Sequence, residues 1–174
     1  MKTLFDEISL KPKSAKQLEI VKIKAILACE LNKEWHSRLP EINWSNVVRN
    51  KFYICFGALY ELIYYAVGIW SSPINQRFRN YNEMLELRRL AISNEAPKFT
   101  ASRMISQMIK QIKKELPEIK RLISYQDIEV HKGIIYKASN WKPMNETKFL
   151  DWNKTRRRNR VQSTSNKIRW EYYI

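Results

Sequence analysis

Residues 94–102, NEAPKFTAS, run from a strand-like segment straight into an amphipathic one, and charge chemistry is easiest to place there. A helix beginning at Thr100 and Ala101 leaves its first N–H groups without partners and points the positive end of its dipole outward, which suits an anion. Lys98 and Arg103 would add charge to that site. An ordinary capped helix start, with Thr100 as the N-cap, fits the same residues equally well. A second group has a different chemistry. Arg156, Arg157, Arg158 and Arg160 follow Trp152 and Lys154, and residues 142–174 carry nine Lys and Arg against three acids. Phosphates attract such charge without sequence preference, and Trp152 could wedge or stack against an extruded base. A solvated loop is the plain alternative. Arg77 and Arg79, with Arg88 and Arg89, form a further basic group on the same expected face.

The elements that must position these residues follow from period and punctuation. Ser14, Ala15, Lys16 and Gln17 have the form of a capping box, and apolar residues at 18, 21, 25, 28 and 31 predict a helix that stops by Pro40. KFYICFGALY and ELIYYAVGIW read as antiparallel strands joined by a tight turn near 59–61. Residues 71–83 read as a loop and MLELRRLAI as a strand. Ala101, Met104, Ile105, Met108, Ile109, Ile112 and Leu116 trace one apolar face and predict a helix over 101–116, closed by Pro117. A strand over 121–125, a short helix over 131–139, and a last strand over 167–174 paired with 141–144 complete the chain. The polar, basic segment at about 148–165 is then an insertion between the last two strands.

Composition narrows the partners. The chain has 174 residues, enough for one domain over 1–174 with a real core, and 44% hydrophobic and 12% aromatic content excludes a disordered chain. A net charge of +15 favours a polyanion, with nucleic acid ahead of a membrane surface. Cys29 and Cys55 lie in apolar segments without a C-x-x-C pair, which points to buried thiols in a reducing compartment. No run approaches the ~18 apolar residues of a membrane span, and the first residues lack a signal-like apolar core, so a cytoplasmic protein with no membrane partner is expected.

The motifs LELRRLAI, PKFTASR at 97–103, ISYQD at 123–127 and GIIYKASNW at 133–141, with WHSRLP at 35–40, resemble the phage Mom proteins of the GNAT (Gcn5-related N-acetyltransferase) superfamily. The resemblance spans about 30–145. It implies an α/β fold, a central twisted mixed sheet flanked by helices, and a transferase that places a carbamoylmethyl-like group on adenine N6 of double-stranded DNA, protecting it from restriction. An acyl-CoA-type donor, acetyl-CoA included, would lie along Leu90, Ala91 and Ile92 and against Lys98, Thr100, Ala101, Ser102 and Arg103. The usual glycines of a GNAT phosphate loop are absent from KFTASR, a departure the Mom proteins share. By the same resemblance Tyr136 would protonate a departing thiolate, Asp127 would take or orient a proton of the attacking amine, and Ser102 would bond a phosphate or the substrate. His36, beside Trp35 and Arg38, would contact the base or a metal. Iron is associated with this family, but His36 and His131 are the only imidazoles here and make too thin a ligand set for a metal site.

An extruded adenine needs an aromatic to stack on, and Trp35, Trp44, Tyr125 and Trp141 are the candidates beside Trp152. Two other functions fit the charge: a GNAT acetyltransferase acting on aminoacyl-tRNA or another small amine, and a non-catalytic nucleic-acid-binding protein. The sequence leaves the oligomeric state open.

Overall fold

The computed structural model describes residues 11–36, 41–147 and 165–174. Seven strands form one sheet in the order β1-β2-β3-β4-β5-β7-β6. They are β1 (Glu19–Lys22), β2 (Tyr53–Tyr60), β3 (Ile63–Ser71), β4 (Met84–Ile92), β5 (Arg121–Asp127), β6 (Lys142–Thr147) and β7 (Lys167–Tyr173). All neighbours are antiparallel except β4 and β5, which are parallel and joined by the long helix α3 (Thr100–Glu115). The other helices are α1 (Ala25–Trp35), α2 (Trp44–Val48) and α4 (Ile134–Lys137).

Both faces of the central strands are covered, so β2 and β3 read as continuous apolar runs rather than alternating ones. Phe56, Ala66, Trp70 and Leu85 face α3, whose Met104, Ile105, Met108, Ile109 and Ile112 are buried against them. Burial of those five side chains, about 1.5–3 kcal/mol each, holds α3 in place far more than helix propensity does. Gly68 permits the close approach, since a Cβ there would come within 2.5 Å of the Met108 sulfur. On the other face Cys55, Val67, Ile69 and Ala91 pack under Ala25, Ala28 and Cys29 of α1. Both thiols are free and buried, and burial pushes Cys55 up to about 12.

The first expected helix is corrected. The Ser14–Gln17 capping box is present, with both of its hydrogen bonds, but it closes a single 3-10 turn over Ala15–Gln17. The chain then extends as β1, because Leu18 and Ile20 bury on the same core while Glu19↔Leu59 and Lys22↔Phe56 pair at the sheet edge. The helix begins only at Ala25. The β2–β3 turn falls on Glu61 and Leu62, whose φ values of 45° and 67° are both left-handed, as a two-residue hairpin requires. β7 lies between β5 and β6, and pairs with β6 as expected. Among the described residues no helix is long and apolar enough to cross a membrane.

Candidate active site at the fork between two parallel strands

β4 and β5 pair only from Met84↔Arg121 to Leu87↔Ser124. Beyond that point each strand follows its outer neighbour. Arg88 is an extra residue opposite the Ile69–Trp70 step, since Leu87 pairs with Trp70 and Arg89 with Ile69. Such a bulge bends its strand, and β4 continues along β3 to Ile92↔Ala66. β5 continues along β7 to Asp127↔Lys167. The wedge between them is a cavity of about 300 Å³ whose walls include His36, Arg88, Arg89, Leu90, Ile92, Ala101, Ser124, Tyr125, Asp127, His131 and Tyr136.

Tyr136 is held by two rings and a hydroxyl. Its ring stacks on Trp170 at 5.2 Å between centroids and meets Trp141 edge-on at 5.6 Å. Its hydroxyl lies 2.8 Å from that of Ser124, and both residues are buried. Burial pushes the Tyr136 phenol up, against the opposing effect of the Ser124 hydrogen bond, so it carries its proton at neutral pH. The preceding turn sets this position. Gly133 holds φ at +70°, the Gln126 amide donates to the His131 carbonyl, and Trp170 Nε1 donates to Gln126 Oε1 at 2.7 Å. A Cβ on Gly133 would lie 2.6 Å from Gln126 Oε1 and 2.7 Å from the Trp170 ring. Gly133→Ala is therefore expected to destabilise the protein by about 1–3 kcal/mol, read as a lower denaturant midpoint at unchanged slope.

Asp127 lines the same cavity and also orders the next turn, its Oδ1 accepting from the Glu129 N–H at 3.1 Å. His36 ends α1, and its Nδ1 is buried with no hydrogen-bond partner among the described residues. Burial, then the Arg89 charge, holds its imidazole below the ordinary value, so the ring is neutral at neutral pH. His36, His131 and Asp127 share the cavity, yet among the described residues no three His, Cys, Asp or Glu side chains are grouped to hold a metal ion. The described residues do not fit an iron site.

The remaining expected residues divide between the cavity and other places. Leu90 and Ile92 face the cavity, whereas Ala91 points to the opposite face, under α1, because β4 alternates. Ser102 lies outside the cavity, in a shallow pocket with Lys16, Lys98, Phe99 and Arg103, and its hydroxyl donates to the Phe99 carbonyl at 3.1 Å. Thr100 is the first helical residue rather than the N-cap: it is buried, and its hydroxyl donates back to Pro97 at 2.7 Å. Phe99 takes the cap position at φ 68°, making the left-handed turn that glycine usually supplies. Arg103 donates to the Lys16 and Leu18 carbonyls and braces the first turn of the chain.

Arg88 lines the cavity and donates to Ser71 Oγ at 3.1 Å, while Arg77 and Arg79 are exposed on the β3–β4 loop. Trp35 packs into the α1 layer, and Trp44 borders two other pockets. Trp141 is not a stacking platform, because Trp70, Tyr136 and Tyr172 enclose it. Of the proposed stacking residues that are described, Tyr125 alone lines the cavity. Arg38, Trp152, Lys154, Arg156, Arg157, Arg158 and Arg160 lie outside the described residues. Ser124 and Gln126 escaped the sequence reading. Their signal was two polar residues at core-facing positions of a strand, in line with Leu122.

The parallel β4–α3–β5 unit with a forked end, inside a mostly antiparallel sheet, is the GNAT acetyltransferase fold. The chain resembles the ribosomal-protein-alanine N-acetyltransferase from Brucella melitensis (TM-score 0.65, 10% identity, covering 90% of this chain and 100% of that one). It also resembles yncA from Salmonella typhimurium, solved with its cofactor acetyl-CoA (0.64, 6%, 90% and 94%), and the Escherichia coli ribosomal-protein-S18-alanine N-acetyltransferase (0.63, 10%, 90% and 94%). The chain belongs to the Mom protein family, whose model matches residues 17–172. No curated protein sequence matches it.

Proposed function

We propose that this chain is a transferase that attaches a carbamoylmethyl-like group to N6 of adenine in double-stranded DNA, the activity its family resemblance implies. One observation carries the reading: a buried phenol that keeps its proton, Tyr136, and a carboxylate, Asp127, line one cavity at the fork of the sheet. The N6 lone pair is delocalised into the purine ring, so the amine attacks only as a proton leaves it. Asp127 would accept that proton as the N6–carbon bond forms. The Tyr136 phenol would give its proton to the group departing from the same carbon, and Ser124 holds the phenol in line. The base must first leave the duplex, and Tyr125 at the cavity wall offers it a ring.

The residues present fit an acyl-CoA-type donor. Among the described residues β4 beyond Leu87 has no partner strand on its β5 side, the first N–H groups of α3 lie beside Lys98 and Lys16, and Phe99 makes the turn without glycine. When bound, such a donor would supply the transferred carbon on sulfur, and the carbon–sulfur bond breaks as the N6–carbon bond forms. A thioester joins N6 through its carbonyl carbon, so a carbamoylmethyl-like product requires a donor that carries the methylene carbon on its sulfur. Leu90 and Ile92 would hold its reactive end and the α3 start its phosphates.

Nucleoside mass spectrometry of DNA and tRNA from expressing cells tests this reading. A mass-shifted deoxyadenosine in DNA, with tRNA unaltered, is the expected result. Acylated tRNA with unmodified DNA would support the aminoacyl-tRNA alternative, and no change in either would support a non-catalytic role.

A further inference from the structure

α1 and α2 pack on β2, β3 and β4, and beyond β4 the same face of the sheet changes character. Register places Arg121, Tyr125, Asp127, Lys167, Arg169 and Tyr173 together there, with Lys142 of β6 opposite Glu171. Glu171 is 1% exposed and holds two guanidiniums: Arg169 at 3.0 Å and Arg121 at 3.7 Å. One carboxylate shared by two arginines leaves a positive excess. Both guanidiniums also lie against the Phe78 ring, at 5.2 and 5.8 Å, and keep 22% of their side-chain surface exposed. Each guanidinium is thus held between a buried carboxylate and a ring while part of it stays exposed, and a planar donor set fixed in this way matches phosphate oxygens and loses little freedom on binding. Arg77 and Arg79 flank Phe78, and Arg121 donates to the Arg79 carbonyl. Tyr125, Asp127 and Lys167 belong to this face and also to the cavity wall, so the face adjoins the cavity mouth.

We infer that this half-face of the sheet, built on Arg77, Arg79, Arg121, Lys142, Lys167 and Arg169, is where the backbone of a DNA duplex docks, with the cavity opening beneath it. The inference rests on the proposed DNA substrate and adds the surface that presents it. Its exposed charge is positive where the opposite side of the molecule offers an equal control. Lys110, Lys113 and Lys114 are exposed on α3, across the sheet.

The experiment compares two triple reversals that change net charge equally, Arg77→Glu/Arg79→Glu/Lys142→Glu and Lys110→Glu/Lys113→Glu/Lys114→Glu. Binding to a labelled duplex is followed by anisotropy across a salt series. The sheet-face variant is expected to lose about 2 to 3 from the log–log salt slope, roughly 0.9 for each phosphate contact removed, and the α3 variant to keep it. Arg169→Lys, which keeps the charge but loses the guanidinium plane between Glu171 and Phe78, is expected to weaken duplex binding, and its affinity is read at a temperature where its unfolding curve shows it fully folded. Equal losses in both triple variants, or a larger loss in the α3 variant, would overturn the docking face while leaving DNA as the substrate. A wild-type protein with no affinity for duplex DNA would overturn both.

Discussion

Tyr136→Phe is expected to lower the rate of group transfer by about 10²–10⁴ while leaving duplex affinity unchanged. The phenyl ring keeps its stack on Trp170 and its edge contact with Trp141, so the variant should fold with the wild-type packing. Only the hydroxyl is lost, and with it the buried partner of Ser124. Leaving that serine unsatisfied costs roughly 1–3 kcal/mol of stability, a difference that unfolding curves measure separately from activity. Near-normal transfer by a folded Tyr136→Phe protein would remove the phenol from the chemistry.

The largest effect on stability is expected at Trp170. This side chain is 2% exposed, stacks under Tyr136 and donates its indole N–H to Gln126. Trp170→Ala opens a cavity in the α3-side core and should cost about 3–5 kcal/mol, lowering Tm by on the order of 10 °C. It should also release Tyr136 and the Gly133 turn, so activity falls more steeply than the folded fraction does. Trp170→Phe keeps the stack and loses only the hydrogen bond, and a smaller drop is expected. Equal losses for the two variants would mean that ring volume does not matter at this position.

Strong periodicity made α3 and its two flanking strands legible, because seven apolar residues at helical spacing leave little choice of face. The expected first helix gives way to a turn and a strand for a local reason. A true capping box at Ser14 stabilises one turn whatever follows, and the choice between helix and strand at 18–22 is made by the edge of β2, a contact some forty residues away. The fork itself was hidden. It depends on one bulged residue, Arg88, and on β7 inserting beside β5, and neither leaves a local pattern. Tyr136 and Asp127 were found through motif resemblance and share the cavity. Ser102, drawn from the same motif, sits outside it because the first turn of α3 directs successive side chains to different sides.

Everything functional here depends on the cavity between β4 and β5 being the place where adenine is modified. The most direct measurement is the deoxynucleoside profile of DNA from cells expressing the wild-type protein beside cells expressing Tyr136→Phe at the same level. A mass-shifted deoxyadenosine with the wild type and its loss with the variant is the predicted result. Unmodified adenine in both, or equal modification in both, would contradict it.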